Sequence, residues 1–412
     1  MKKELRVLIV DDDLDRSTSW EAQIKQMGFE GITVRAIRLD ESRQLMTVAN
    51  SRRAGMRSSN MSLNREACIL DETDLLILDY DLQELLKDGE WSTGLQVATL
   101  ARAFTGVKYI TLINQLGTNT FDLTLTKSQS SRADRDVGSD QLLNVGLWDR
   151  KRRQDGFLPW HWQDGLLQAT RRFELTQDWV QGRLDRPALS ELGFNFDPSG
   201  TSPETYIPKE LWQELTGNPT STLRELATKS NFLPIKDNEY LASHDVYCAR
   251  VSTAVLSHWI ERILIPSGEV LIDIPHLVSS SPWLLKEPKD VRNWQQTTVD
   301  DHRALDTLRE EVQETLFDPG FPLARPAVWR HKVAKHHSLT EPVGFSYDDF
   351  PDLVFCEDTS DFRLFENCRS FVCRLPGSDN QRFVIDPSKL KGSNELGRLS
   401  EVTYEPSVFF AL

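Results

Sequence analysis

Two short apolar runs, Val7-Leu8-Ile9-Val10 and Leu75-Leu76-Ile77-Leu78, each end in acid: Asp11-Asp12-Asp13 after the first and Asp79-Tyr80-Asp81 after the second. Four consecutive apolar residues stopped by polar ones predict a strand buried on both faces, as in a parallel sheet. Between the runs, Trp20, Ile24 and Met27 recur at helical spacing up to Gly28, a helix stop, and Ile32 to Ile37 predict a second strand. Residues 50–62 are polar without a period and read as an inserted loop. After the second acidic run, a helix opening near Thr93-Gly94 carries Val97, Ala101 and Phe104 on one face and stops at Gly106. Tyr109 to Ile113 predict a further strand, and the alternation from Phe121 to Thr126 a last one, ending at Lys127. This order predicts a doubly wound α/β domain with a parallel sheet and right-handed crossovers.

The texture changes at Ser128 to Ser139, which is small, polar and aperiodic and reads as a linker. Residues 140–185, 207–230 and 247–265 look helical, 270–274 form a short strand, and 289–316 read as a charged amphipathic helical region. From about Phe345 the runs Val354-Phe355, Phe371-Val372-Cys373 and Phe383-Val384-Ile385 predict a small β-rich end. The expected organisation is therefore an α/β unit over 1–135, a mainly helical α+β region over 136–345 and a β-rich region over 346–412.

Length and charge sharpen this. A chain of 412 residues, 39% hydrophobic and 27% charged, has an ordinary globular composition and is long enough for two or three domains. Its net charge is −14, yet the first 135 residues carry 20 acidic and 18 basic side chains, so the acidity belongs to the remainder. That excess argues against binding the phosphate backbone of nucleic acid, and no basic recognition helix is visible. Arg150-Lys151-Arg152-Arg153 reads as a solvated face. No run of about 18 apolar residues and no secretory segment after Met1-Lys2-Lys3 is present, which predicts a cytoplasmic protein with no membrane contact. Five cysteines without a CxxC pair predict reduced, mostly buried thiols. His331, His336 and His337 with Cys356, Cys368 and Cys373 lack the short ligand spacing of a structural zinc module. The 11 tryptophans read as core residues.

The chemistry lies in the acids. In an open α/β sheet, ligands bind at the carboxyl ends of the strands, where the strand order reverses. Two strands ending in acid bring Asp11, Asp12, Asp79 and Asp81 toward one site, and their mutual repulsion is relieved by protonation or by a hard cation. Oxygen ligands of this number suit Mg²⁺. A carboxylate beside Mg²⁺ can attack phosphorus, and Lys127 is placed to neutralise the transferred oxygens. Taken singly, an Asp after a strand is as readily a helix cap or turn residue.

At these residues the chain resembles the receiver domain of bacterial two-component response regulators. The resemblance covers about residues 5–127. It rests on Leu8-Ile9-Val10-Asp11-Asp12-Asp13, on Leu75-Leu76-Ile77-Leu78-Asp79-Tyr80-Asp81-Leu82, on Gly94 opening the third helix, and on Lys127. It implies a flavodoxin-like fold, with Asp79 as phosphoacceptor, Asp11 and Asp12 holding Mg²⁺, the Asp81 backbone carbonyl completing the metal shell and Lys127 pairing with the phosphoryl group. The implied partners are a histidine kinase or phosphotransfer protein and a protein effector. The implied output is an interaction or a phosphate sink, with anti-phage defence among the roles such regulators serve. The chain departs from the pattern at Asn114, where a Thr or Ser usually ends the fourth strand, at Thr124 in the aromatic switch position, and at Ser128 in place of a proline. Asp12 and Asp79 also stand 67 residues apart, more than is usual.

Two other readings stay open. A Mg²⁺-dependent phosphohydrolase of haloacid-dehalogenase type also places DxD after an apolar strand, but here Gln83 stands where Thr or Val is expected and the supporting acids precede the motif. A pseudo-receiver that binds partners without phosphorylation is suggested by Asn114, Thr124 and Ser128. No GxxxxGK[ST], HExxH, GxSxG or helix-opening GxGxxG motif occurs.

Overall fold

The computed structural model describes residues 4–57, 68–82, 93–114, 120–123, 125, 133–152, 164–194, 207–229, 243–299, 302–373, 381–389 and 403–405. Five strands form an all-parallel sheet: β1 (Leu5–Val10), β2 (Ile32–Ala36), β3 (Leu75–Asp79), β4 (Tyr109–Asn114) and β6 (Arg135–Gly138), in the order β2-β1-β3-β4-β6. The helices α1 (Leu14–Gln26), α2 (Leu39–Arg57) and α3 (Gly94–Phe104) alternate with the first four strands. The architecture is α/β, as the alternating pattern predicts.

Both faces of the sheet are buried, which explains the continuous apolar runs. Val7, Ile9, Leu75, Ile77, Tyr109 and Ile113 face Trp20 and Ile24 of α1, together with Trp148, Leu166 and Phe173. Leu8, Val10, Leu76, Leu78, Ile110 and Leu112 face the other way, toward Val97, Ala101 and Phe104 of α3 and a set that includes Val180, Cys248 and Trp259. The covering residues beyond 139 include those of α4 (Leu166–Gln181) and α5 (Asp245–Trp259), so the apolar core runs without a break across residue 135.

Four expectations change. The residues read as an inserted loop are helical as far as Arg57, while 58–62 lie outside the described residues. Arg52, 3% exposed, fixes this stretch by gripping both oxygens of Asp71 at 2.8 and 2.6 Å, a tertiary tie that apolar periodicity does not register. Next, the fifth strand of the sheet is β6, inside the expected linker. Its four residues carry little apolar signal because Arg135 is held by ionic contacts: Nε donates to the Tyr109 hydroxyl at 2.7 Å and Nη2 pairs with buried Asp164. The alternating stretch expected as the last strand instead contributes β5 (Thr120–Asp122), which pairs in parallel with β13 (Thr403–Glu405), and Phe121 packs with Leu125, Cys373 and Val384. Finally, 289–316 is broken into a short helix, Val291–Gln296, and 3-10 turns at His302–Thr307 and Glu310–Thr315. The hydroxyls of Thr297, Thr307 and Thr315 each donate to the carbonyl three residues back, at 2.6, 2.8 and 2.7 Å, which competes with helix continuation.

Beyond the parallel sheet, β7 (Leu271–Asp273) and β8 (Ala327–Trp329) form an antiparallel pair. A four-stranded sheet has the order β10-β9-β12-β11, from β9 (Leu353–Cys356), β10 (Asp361–Leu364), β11 (Cys368–Val372) and β12 (Gln381–Ile385). Among the described residues, no helix is long and apolar enough to cross a membrane.

One close approach fixes the end of β3. Thr93 caps α3 in a capping box with Gln96, and a Cβ placed on the next residue, Gly94, would lie 2.2 Å from the Asp79 carbonyl oxygen. Gly94→Ala is therefore expected to lower stability by about 2 kcal/mol through overpacking, measured by urea denaturation, whereas Gly217→Ala, with nothing within 4 Å, stays near wild type.

Candidate functional site

The site grows from the register of two neighbouring strands. Val10 pairs with Leu78 and Asp79 with Ile113, so Asp11 and Asp79 emerge side by side at the carboxyl edge, between β1 and β3, where the strand order reverses. Asp11, Asp12 and Asp79 offer oxygens that all lie within 4.8 Å of one another. Asp11 and Asp79 are 2% and 1% exposed. Asp81 is exposed, its backbone bridges to Thr93, and its side chain does not join the cluster. Asp13 serves as the N-cap of α1, its side chain accepting from the Arg16 amide, while its own amide donates to Asp11 Oδ1 at 2.8 Å.

The sequence reading missed Arg16. Its guanidinium donates to Asp11 through Nε at 2.7 Å and Nη2 at 2.6 Å, reaches Asp79 Oδ2 at 3.0 Å, and lies 3.5 Å from Asp12. One internal cation thus touches all three acids. A signal for it exists in the chain: an arginine in the first turn of a helix opposes the helix dipole and needs nearby carboxylates to settle there. Its hydrogen bond to Asp11 holds the Arg16 guanidinium above its already high ordinary pKa.

Asp79 remains unbalanced despite Arg16. Burial, with Asp11 adding to it and Arg16 opposing, pushes its carboxyl up to about 7. Its Oδ1 is buried without a hydrogen-bond partner among the described residues. A carboxylate oxygen with no donor, beside two further carboxylates, is a donor set that fits a hard divalent cation. Asp11, Asp12 and Asp79 are the residues that could hold one.

The other expected members are placed as follows. Asn114 ends β4 in register with Gly138 of β6, at the same edge as the acids. Lys127, with Thr124 and Ser128, lies outside the described residues, and the residue that ends the fifth strand is Gly138. His337 is exposed and His336 half-buried, and no histidine or cysteine belongs to a potential metal cluster among the described residues. Compared with known proteins, the chain matches no family model, no curated protein and no solved structure.

The raised pKa of Asp79 has a definite sign. Its folded value exceeds its unfolded one, so the folded state prefers the protonated acid and the cost of ionising it grows as pH rises from about 4 toward 7. In metal-free buffer, Asp79→Asn is expected to leave stability nearly unchanged at pH 4 and to raise it by about 1–2 kcal/mol above pH 7, measured by urea denaturation at both values. An equal effect at both pH values would contradict this.

Proposed function

We propose that the protein is a receiver-type regulator in which Asp79 accepts a phosphoryl group from the phosphohistidine of a kinase or phosphotransfer protein, with Mg²⁺ held by Asp11, Asp12 and Asp79. The observation that carries this reading is the acid triad at the reversal point of a parallel sheet ordered β2-β1-β3-β4-β6, together with the undonated Asp79 Oδ1. The order matches the flavodoxin-like arrangement. In this reading Asp79 forms the new O–P bond, the P–N bond to the donor histidine breaks, and the imidazole leaves with a proton from solvent. Mg²⁺ in the triad supplies positive charge for the transferred oxygens. Arg16 occupies the same carboxylate oxygens and competes with Mg²⁺ for them, and the Asn114 amide at the end of β4 is the donor proposed for a phosphoryl oxygen. Lys127 keeps the proposed role of a second cation. The output is a change in the protein's own interaction surface or a phosphate sink, without DNA binding.

A second reading has its own observation. Arg16 already spans the three acids as a metal would, which favours a pseudo-receiver that holds one state without phosphorylation.

Incubation with acetyl phosphate and Mg²⁺, followed by intact mass measurement, separates the readings. The phosphoacceptor reading expects one phosphoryl adduct, none in Asp79→Asn, and labelling at least about tenfold faster in Arg16→Ala, the equivalent of ~1.4 kcal/mol. No adduct in either wild type or Arg16→Ala, under conditions that label a known receiver, would establish the pseudo-receiver. Continued turnover of an aryl phosphate would point to a hydrolase.

A further inference from the structure

A second polar centre is built by elements that take no part in the acid triad. A cavity of about 40 Å³ is lined by Arg262, Arg325 and Arg382, by His276 and Asp273, and by Ser360. Asp273 ends β7, His276 sits in the first turn of the following helix, Ile274–Ser280, and Arg382 belongs to β12. Ser360 lies in the turn between β9 and β10, and Arg262 in a π-helical segment, Ile260–Leu264, that continues α5. Asp273, Arg325, Arg382 and Ser360 are each at most 4% exposed.

Three independent irregularities meet here. Ser360 and Leu125, another lining residue, are the two non-glycine residues with positive φ among those described, at 52° and 55°. A left-handed backbone is strained for a residue with a side chain, so the surrounding structure holds both in place. A π-helical segment is the second, and such segments concentrate at functional sites. The third is the pairing of the charges.

Each lining carboxylate has a cationic neighbour: Glu261 pairs with Arg172, and Asp273 Oδ2, which accepts no hydrogen bond among the described residues, lies 3.7 Å from Arg325 Nη1. Asp273 bonds His276 Nδ1, while Glu357 bonds Nε2 at 2.7 Å and also accepts from Arg382 Nη1 at 2.7 Å. Because the two acids sit on opposite ring nitrogens, they do not converge on a common point as metal ligands would. Two buried guanidiniums, of Arg150 at 2.9 Å and of Arg325, instead donate to one neutral oxygen, Ser360 Oγ. Arg382 Nε is buried with no hydrogen-bond partner among the described residues. A leftover buried donor is costly, and an oxyanion would satisfy it.

We infer that this cavity is a binding site for a tetrahedral oxyanion, a phosphate or the terminal phosphoryl group of a larger ligand. Its volume is about three times the roughly 10–15 Å³ that one water needs, which suits a single such group. A planar carboxylate is matched by one bidentate arginine. Arginines arriving from separate elements around a hydroxyl match four oxygens directed to the corners of a tetrahedron. The inference does not depend on Asp79 accepting a phosphoryl group.

The test is isothermal titration of the full chain with inorganic phosphate, in metal-free buffer at constant ionic strength, with acetate as the comparison. Saturable one-to-one binding of phosphate and none of acetate is expected. Arg382→Lys, which keeps a cation beside Glu357 but lacks Nε, is expected to bind about tenfold more weakly while circular dichroism stays native. Arg325→Gln should likewise weaken binding. No saturable heat in the wild type, equal binding of acetate, or full affinity in both folded variants would overturn the inference.

Discussion

An all-parallel sheet has no face it can leave in water, because its strands carry apolar side chains in both directions. That constraint governs this protein. The two helical layers expected from the first third of the chain cover only part of the surface, and α4 and α5, drawn from residues 166–259 and packed against each other, add to the cover. The fifth strand is admitted on the same terms: Arg135 enters the interior only because Tyr109 and Asp164 meet it there. The region after residue 139 is thus part of what makes the sheet foldable, and whatever happens at the carboxyl edge of the strands is mechanically joined to it.

The same adjacency sets the electrostatics. Neighbouring strands lie about 4.8 Å apart, so acids placed directly after β1 and β3 face each other at close range and cannot both ionise cheaply. Arg16 relieves this only in part, since its two shortest contacts go to Asp11 and its third to Asp79. The unequal sharing leaves Asp79 as the group whose charge state is open to a proton or a cation.

Much of this was legible in the sequence, and the gaps have physical causes. The apolar runs announced β1 and β3 because burial on both faces demands them, and the acids after each run located the edge where they meet. Gly94 and Gly106 marked the ends of α3 through backbone requirements that side-chain patterns respect. β6 was hidden because two of its four residues are charged and the partners of Arg135, Tyr109 and Asp164, stand 26 and 29 residues away. The strand at Phe121 was visible by its alternation, but a period of two states that a residue is in a sheet without stating which one. Arg16 was overlooked because its partners include an aspartate 63 residues further on, although its position against the helix dipole was a local clue. The proposed oxyanion cavity draws on Arg262, Arg325 and Arg382, whose convergence no spacing rule expresses.

The pairing of β5 with β13 bears on how the chain reaches this state. Phe121 is matched with Tyr404, so a strand made early in synthesis waits for one made near the end of these 412 residues. Closing a loop of that length costs about 5 kcal/mol of chain entropy if it occurs alone. The closure becomes affordable only after intervening elements have condensed and shortened the effective separation. This small sheet is accordingly a late event in folding, and among the first contacts to open when the native state loosens.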